Sequence, residues 1–157
     1  MADTVTAIVD NVNVPPWVSS RIAGSPGWGT GAVGIGWKRG ETLIMGVVYA
    51  RHSPGQNIEM AVAVAGRMPT RSFVEAFLYP FLQLNLPRVT ALVDESNWQS
   101  IKFCQSVGFV REGLMRAAGL RGGGVIVYGM LARECKFLSA RWLVKLARAT
   151  AQERAMA

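Results

Sequence analysis

The 157-residue chain has two cysteines, one histidine and no long apolar run. Each scarcity excludes something. Cys104 and Cys135 form no CxxC pair, and with a lone His52 they offer no ordinary zinc ligand set, so no metal site is expected. Nor do two cysteines make a disulfide framework, which fits a reducing compartment, and a cytoplasmic location is the expectation. The purely apolar stretches, such as residues 60–65, fall far short of the roughly 20 residues that a membrane-spanning helix needs. The opening MADTVTAIVD carries two Asp and no basic group, unlike a secretory leader. Charged residues make up only 17% against 50% hydrophobic ones, which excludes a disordered chain and leaves enough apolar material for one core.

Acidic residues are the scarcer sign: ten against seventeen Lys and Arg, for a net charge of +7. The imbalance is C-terminal. Residues 1–109 hold eight basic and seven acidic side chains, whereas residues 110–157 hold nine and three. A basic end suits an acidic partner, such as a phosphorylated cofactor, a nucleic acid, a membrane surface or an acidic protein. It serves solubility equally well.

What is present is a series of short patterned segments, with no repeat or linker between them. β-Branched alternation predicts a strand over residues 3–10, and PPWVSSRIA a short proline-started helix over 15–23. Residues 32–38 and 42–51 form a strand pair across an Arg-Gly-Glu turn, and 57–65 a buried central strand. Phe73, Phe77, Phe81 and Leu84 make the apolar stripe of a helix over 71–84, with a kink expected at Pro80. A strand at 88–94, a helix at 97–107 and strands at 110–119 and 124–132 follow. A helix over 136–153 closes the chain, with the tail AQERAMA fraying. The order predicts an α+β fold, a mostly antiparallel sheet of six to seven strands flanked by helices.

One motif fails its context. Gly29, Gly31 and Gly34 satisfy GxGxxG, but a dinucleotide fingerprint must follow a strand and open a helix, and here a loop precedes and a strand follows. The glycines that alternate with Val33, Ile35 and Trp37 instead let something pack close against one strand face.

The segment SNWQSIKFCQSVGFVREG, residues 96–113, says more. Ser96 and Gln99 have capping-box spacing, and Gly108 suits a left-handed helix stop with Phe109 folding back. Capping does not account for Asn97, Ser100 and Cys104 sharing one face, nor for Glu112, Gly113 and Arg116 after it. The pattern N-x-x-S-x-x-F-x-x-x-V-G-F-x-x-E-G-x-x-R resembles the second half of the acetyl-CoA-dependent GNAT N-acetyltransferases. It is most similar to the branch that acetylates ribosomal-protein N-termini, polyamines and aminoglycosides. VYGMLARECKFL and YPFLQLNLPRVTALV resemble small GNAT-like proteins of tailed phages. The resemblance covers about residues 57–137.

The resemblance implies a GNAT-like fold, acetyl-CoA as co-substrate without a metal, and a primary amine of a small molecule or protein as acceptor. In the family the central strand ends in a loop whose amides face the coenzyme pyrophosphate at a helix N-terminus, an arrangement that favours anions. The matching residues are Arg67, Met68, Pro69, Thr70, Arg71 and Ser72. Thr70 and Ser72 replace small residues and Pro69 lacks a donor, while Arg67 and Arg71 add charge that pairs with phosphate. By the same resemblance, amides from Val62 to Val64 serve the oxyanion, and Asn97 and Ser100 bond the pantetheine arm beside Phe103. Glu59 is the implied base, with His52, Asp94 and Glu95 as rivals, and Cys104 occupies the position of a general-acid tyrosine.

Residues 1–137 are read as the acyltransferase domain and residues 138–157 as an added basic amphipathic helix. Leu138, Trp142, Leu146 and Ala149 mark one face, and Arg141, Lys145 and Arg148 another. Such a helix packs on its own domain, on a second copy in a homodimer, or on a partner. The alternative to an enzyme is a catalytically weak or inactive protein of the same fold that binds a host protein. Nucleic acid is the weakest of the partner expectations, since no aromatic platform for single strands is evident.

Overall fold

The computed structural model describes residues 4–25 and 27–157. Strands β1 (Val5–Val9), β2 (Val33–Arg39), β3 (Thr42–Ser53), β4 (Asn57–Val64), β5 (Arg88–Asp94), β6 (Val110–Met115) and β7 (Val125–Leu131) form one sheet in the order β1-β2-β3-β4-β5-β7-β6. All neighbours are antiparallel except β4 and β5, which run parallel. Four α-helices cover the sheet: α1 (Val14–Ser19), α2 (Thr70–Leu78), α3 (Trp98–Val107) and α4 (Ala140–Met156). This is the predicted α+β architecture.

The glycines of β2 and β3 seat α1. A Cβ on Gly34 would lie 2.7 Å from the Asp10 carbonyl and 2.9 Å from the Val14 side chain, and one on Gly46 would lie 2.7 Å from Val18. Val14 and Val18 are fully buried in that contact. The failed dinucleotide motif is therefore half loop and half helix seat. Gly29 and Gly31 take φ of 74° and 80°, and Gly34 gives room to α1.

The stripe read from Phe73, Phe77 and Phe81 faces the core. Phe77 stacks on Phe137 at 5.5 Å and on Phe81 at 6.1 Å. The expected kink at Pro80 is a π-helical turn over Tyr79–Gln83, in which the Leu84 N–H donates to the Tyr79 carbonyl at 2.9 Å. Pro80 cannot donate to Ala76, four residues back. The buried Tyr49 hydroxyl donates to that carbonyl instead, at 2.6 Å.

Several predicted boundaries move. The first strand spans Val5–Val9, and residue 3 lies outside the described residues. The first helix ends at Ser19, where the Ser20 hydroxyl donates to the Trp17 carbonyl at 2.8 Å. β6 ends at Met115, because Ala117 and Arg121 take positive φ in the turn that follows. The α3 cap is Asn97, not Ser96: Asn97 Oδ1 accepts the Ser100 N–H at 3.1 Å, while the Ser96 hydroxyl donates to Asp94 at 2.5 Å. The last helix starts at Ala140 after a 3-10 turn over Lys136–Leu138. The tail expected to fray is helical to Met156.

Candidate functional site

β4 and β5 hold together over only three residue pairs, Asn57–Glu59 against Arg88–Thr90. A polar clasp closes that end. The Thr90 hydroxyl donates to Asn57 Oδ1 at 2.7 Å, Arg88 Nε reaches the same oxygen at 3.2 Å, and Arg88 Nη2 pairs with Glu112 Oε1 at 2.7 Å. The Arg88 guanidinium holds the Glu112 carboxyl below its ordinary range. Gly129 leaves room for this pair, since a Cβ would lie 2.1 Å from Glu112 Oε1 and displace it. Glu112 of the EG-x-x-R pattern is thus a clasp.

Beyond Glu59 the two strands diverge, and from Met60 onward β4 has a strand partner only on its β3 side. The gap opens into a cavity of about 430 Å³. Its walls include Met60, Ala61 and Val62 of β4, Ala91 to Asp94 of β5, and Asn97, Ser100, Phe103 and Cys104 of α3. The loop after α1, with Ile22 and Trp28, and Leu120 from the loop after β6 line the far side. Unpaired backbone groups along an apolar cleft suit an elongated ligand bearing amides.

Of the residues singled out in the sequence, Glu59, Val62, Asn97, Ser100, Phe103 and Cys104 share this cavity. Arg67, Met68, Thr70 and Arg71 line a second, shallower hollow of about 580 Å³ at the start of α2. Val64 is 40% exposed and lines neither. Ser72 is 1% exposed and also lines neither hollow, and its hydroxyl has no hydrogen-bond partner, so it does not face the loop.

The charged groups divide sharply. Asp94 is committed: it accepts the Ser96 hydroxyl and N–H on one oxygen and the Leu120 N–H, at 2.6 Å, on the other. Those bonds, the Ser96 hydroxyl foremost, hold its carboxyl below the usual range. His52 and Glu95 do not line the cavity. Glu59 does, and its Oε2 receives Arg51 Nη1 at 2.6 Å. Arg51 escaped the sequence reading because its position depends on a bulge. Ala50 lies opposite Glu59, so in a regular strand Arg51 would project to the other face. The register breaks between Ala50 and Ser53, and Arg51 takes φ 51°, a left-handed conformation that costs a non-glycine residue about 1–2 kcal/mol.

Burial pushes the Cys104 thiol up to about 12. Arg71 is engaged on three sides: with Glu153 of α4, with the Val5 carbonyl at 3.0 Å and with Glu75 at 3.5 Å. Arg39 Nη2 donates to the Arg67 carbonyl at 3.2 Å. The residue that caps the start of α2 is Pro69, which contributes no N–H. Among the described residues no cluster of three His, Cys, Asp or Glu side chains is placed to hold a metal.

No protein-family model matches the sequence, and no curated protein matches it. Solved structures do. A candidate acetyltransferase is similar at 22% identity with TM-score 0.59, covering 68% of this chain and 60% of its own, so the chain spans less than two thirds of that protein's length. A point mutant of the spermidine N-acetyltransferase SpeG from Vibrio cholerae is similar at 22% identity with TM-score 0.60, covering 70% of this chain and 69% of its own. The same organism's spermidine N-acetyltransferase in complex with CoA and spermine is similar at 15% identity with TM-score 0.68, covering 86% of this chain and 98% of its own. These likenesses establish the fold: a GNAT-like sheet, divided between β4 and β5, of the kind found in acetyltransferases.

Proposed function

We propose that the protein is an acetyl-CoA-dependent N-acetyltransferase acting on a primary amine. The observation that carries this reading is the parting of β4 and β5 after three residue pairs, with a cavity of about 430 Å³ in the gap. The pantetheine arm would lie along β4 from Met60 to Val64, where backbone groups lack a strand partner. The Asn97 amide and the Ser100 hydroxyl would contact its far side. Arg67 and Arg71 supply phosphate-pairing charge at the start of α2. Supporting the coenzyme assignment, the Vibrio cholerae relative of this fold was solved with CoA.

In the reaction the amine nitrogen attacks the thioester carbonyl, a C–N bond forms and the C–S bond breaks. Two protons must move. The ammonium gives one up before attack, and Glu59 Oε1, which Arg51 leaves open, receives it. The nitrogen's second proton, lost as the tetrahedral intermediate collapses, reaches the departing thiolate through water. A thiol held near 12 is a poor donor to a thiolate whose reference value is about 8.5, so Cys104 serves as cleft wall. β4 amides between Val62 and Val64 meet the oxyanion. On this reading residues 1–137 form the acyltransferase unit and α4 is an extension of it.

A second reading, a protein of this fold that binds a partner with little or no turnover, has one observation in its favour. Arg71 is engaged by Glu153 and Pro69 gives no amide, so the phosphate end is weaker than the thioester end. Melting in the presence of acetyl-CoA separates the two. Coenzyme at 100 times its dissociation constant adds about 2.7 kcal/mol of stability. A saturable rise, reduced by Arg67→Ala, supports the enzyme. No shift at millimolar coenzyme overturns it.

A further inference from the structure

The charges at the acceptor side of the cavity are unlike those expected for a polyamine. Among the described residues three charged side chains line the cavity: Arg51, Glu59 and Asp94. Asp94 keeps its charge but is fixed in the wall by Ser96 and Leu120, so the groups that can regroup around a ligand are one carboxylate and one guanidinium, 2.6 Å apart. A polycation would find Asp94 already held by its own hydrogen bonds and Glu59 with a like charge beside it. Apart from Ser25, the loops on that side present apolar side chains such as Ile22, Trp28 and Leu120.

The pair is not explained by the fold. Arg51 and Glu59 are 46% and 22% exposed, and an ion pair so placed holds little structure together. Yet β3 breaks its register and places a non-glycine residue in the left-handed region to bring Arg51 onto the face of Glu59. Strain of that kind concentrates at ligand sites. A pair of opposite charges that opens easily matches a ligand of the reverse polarity. An ammonium group meets Glu59, a carboxylate meets Arg51, and one ion pair becomes two.

We propose that the acceptor is a primary amine carrying a carboxylate, of the apolar amino-acid type, with Arg51 as the residue that selects it. This rests on the acetyl-transfer reading above. Glu59 keeps its role as proton acceptor, and Arg51 fixes the carboxylate so that the nitrogen faces the thioester.

The test uses the full chain, acetyl-CoA and four acceptors: leucine, leucinamide, isoamylamine and spermine. Coenzyme A release and melting of the coenzyme-saturated protein are followed together. Leucine is expected to be preferred over isoamylamine and spermine in kcat/KM. Arg51→Gly suits the left-handed backbone and removes the side chain with its guanidinium. It should lower the ratio of leucine to leucinamide kcat/KM by about tenfold or more, as loss of a charged hydrogen bond does. Taking that ratio in both proteins cancels the different basicity of the two amines. Arg51→Lys should restore part of the preference. Where coenzyme binds without release, the melting shift from leucine against leucinamide replaces the rate ratio. A leucine-to-leucinamide ratio indifferent to Arg51→Gly, or spermine as the best acceptor, overturns the proposal alone. Absence of both acetyl-CoA binding and coenzyme A release with any amine overturns the acetyl-transfer reading and this proposal with it.

Discussion

Cys104 illustrates how environment decides what a side chain can do. It lines the cleft among the residues of α3, yet it is 4% exposed and its thiol is raised to about 12 by burial. A general acid contributes about 10²–10⁴-fold. Cys104→Ala should therefore lower coenzyme A release by less than about tenfold, and a loss of a hundredfold would return the proton-donor role to it. Glu112 shows the opposite polarity. Its folded carboxyl is held below its unfolded value by Arg88, so the stability it contributes is complete above about pH 4.3 and is lost as pH falls through the lowered folded value. Melting followed from pH 6 down to about pH 3 should show a gentler acid decline in Glu112→Gln than in the wild type. An unchanged slope would mean that the Arg88–Glu112 contact carries no linkage.

The elements show where local sequence speaks and where it stops. The stripe of Phe73, Phe77 and Phe81 is a local pattern and it located α2, but the π turn at Pro80 depends on Tyr49 taking the carbonyl of Ala76, 27 residues further along the chain. Ser96 and Asn97 are both good caps, and only the approach of Asp94 decides between them. Asn97, Ser100 and Cys104 were legible as one face of α3 because helical spacing is fixed. Arg51 was not, because a bulge between β3 and β4 reverses its direction. Glu153 was hidden in a tail expected to fray, yet α4 extends to Met156 and Glu153 reaches Arg71 at the start of α2. If coenzyme phosphate and Glu153 compete for Arg71, Glu153→Gln should tighten acetyl-CoA, by up to about fivefold for a pair so exposed. Titration calorimetry reads this directly, and weaker binding would show that Glu153 holds Arg71 in place for the ligand.

At the scale of the molecule, the sheet is continuous from β1 to β6 and weakest at its single parallel junction. The Arg88 clasp closes one end of that junction, and α2 and α3 rise from the strands on either side of the open end. No helix among the described residues is long and apolar enough to cross a membrane. The architecture was predicted from element order. The length of the β4–β5 contact was not, since nothing in NIEMAVAV or RVTALVD marks where pairing stops. The measurement that bears most directly on the account is amide hydrogen exchange of the full chain with and without acetyl-CoA. With acetyl-CoA bound, exchange should slow at Met60 to Val64 of β4 and in the first turn of α2, with β1 and β6 unchanged. Unchanged exchange along β4 with saturating coenzyme, or protection confined to another face, would contradict it.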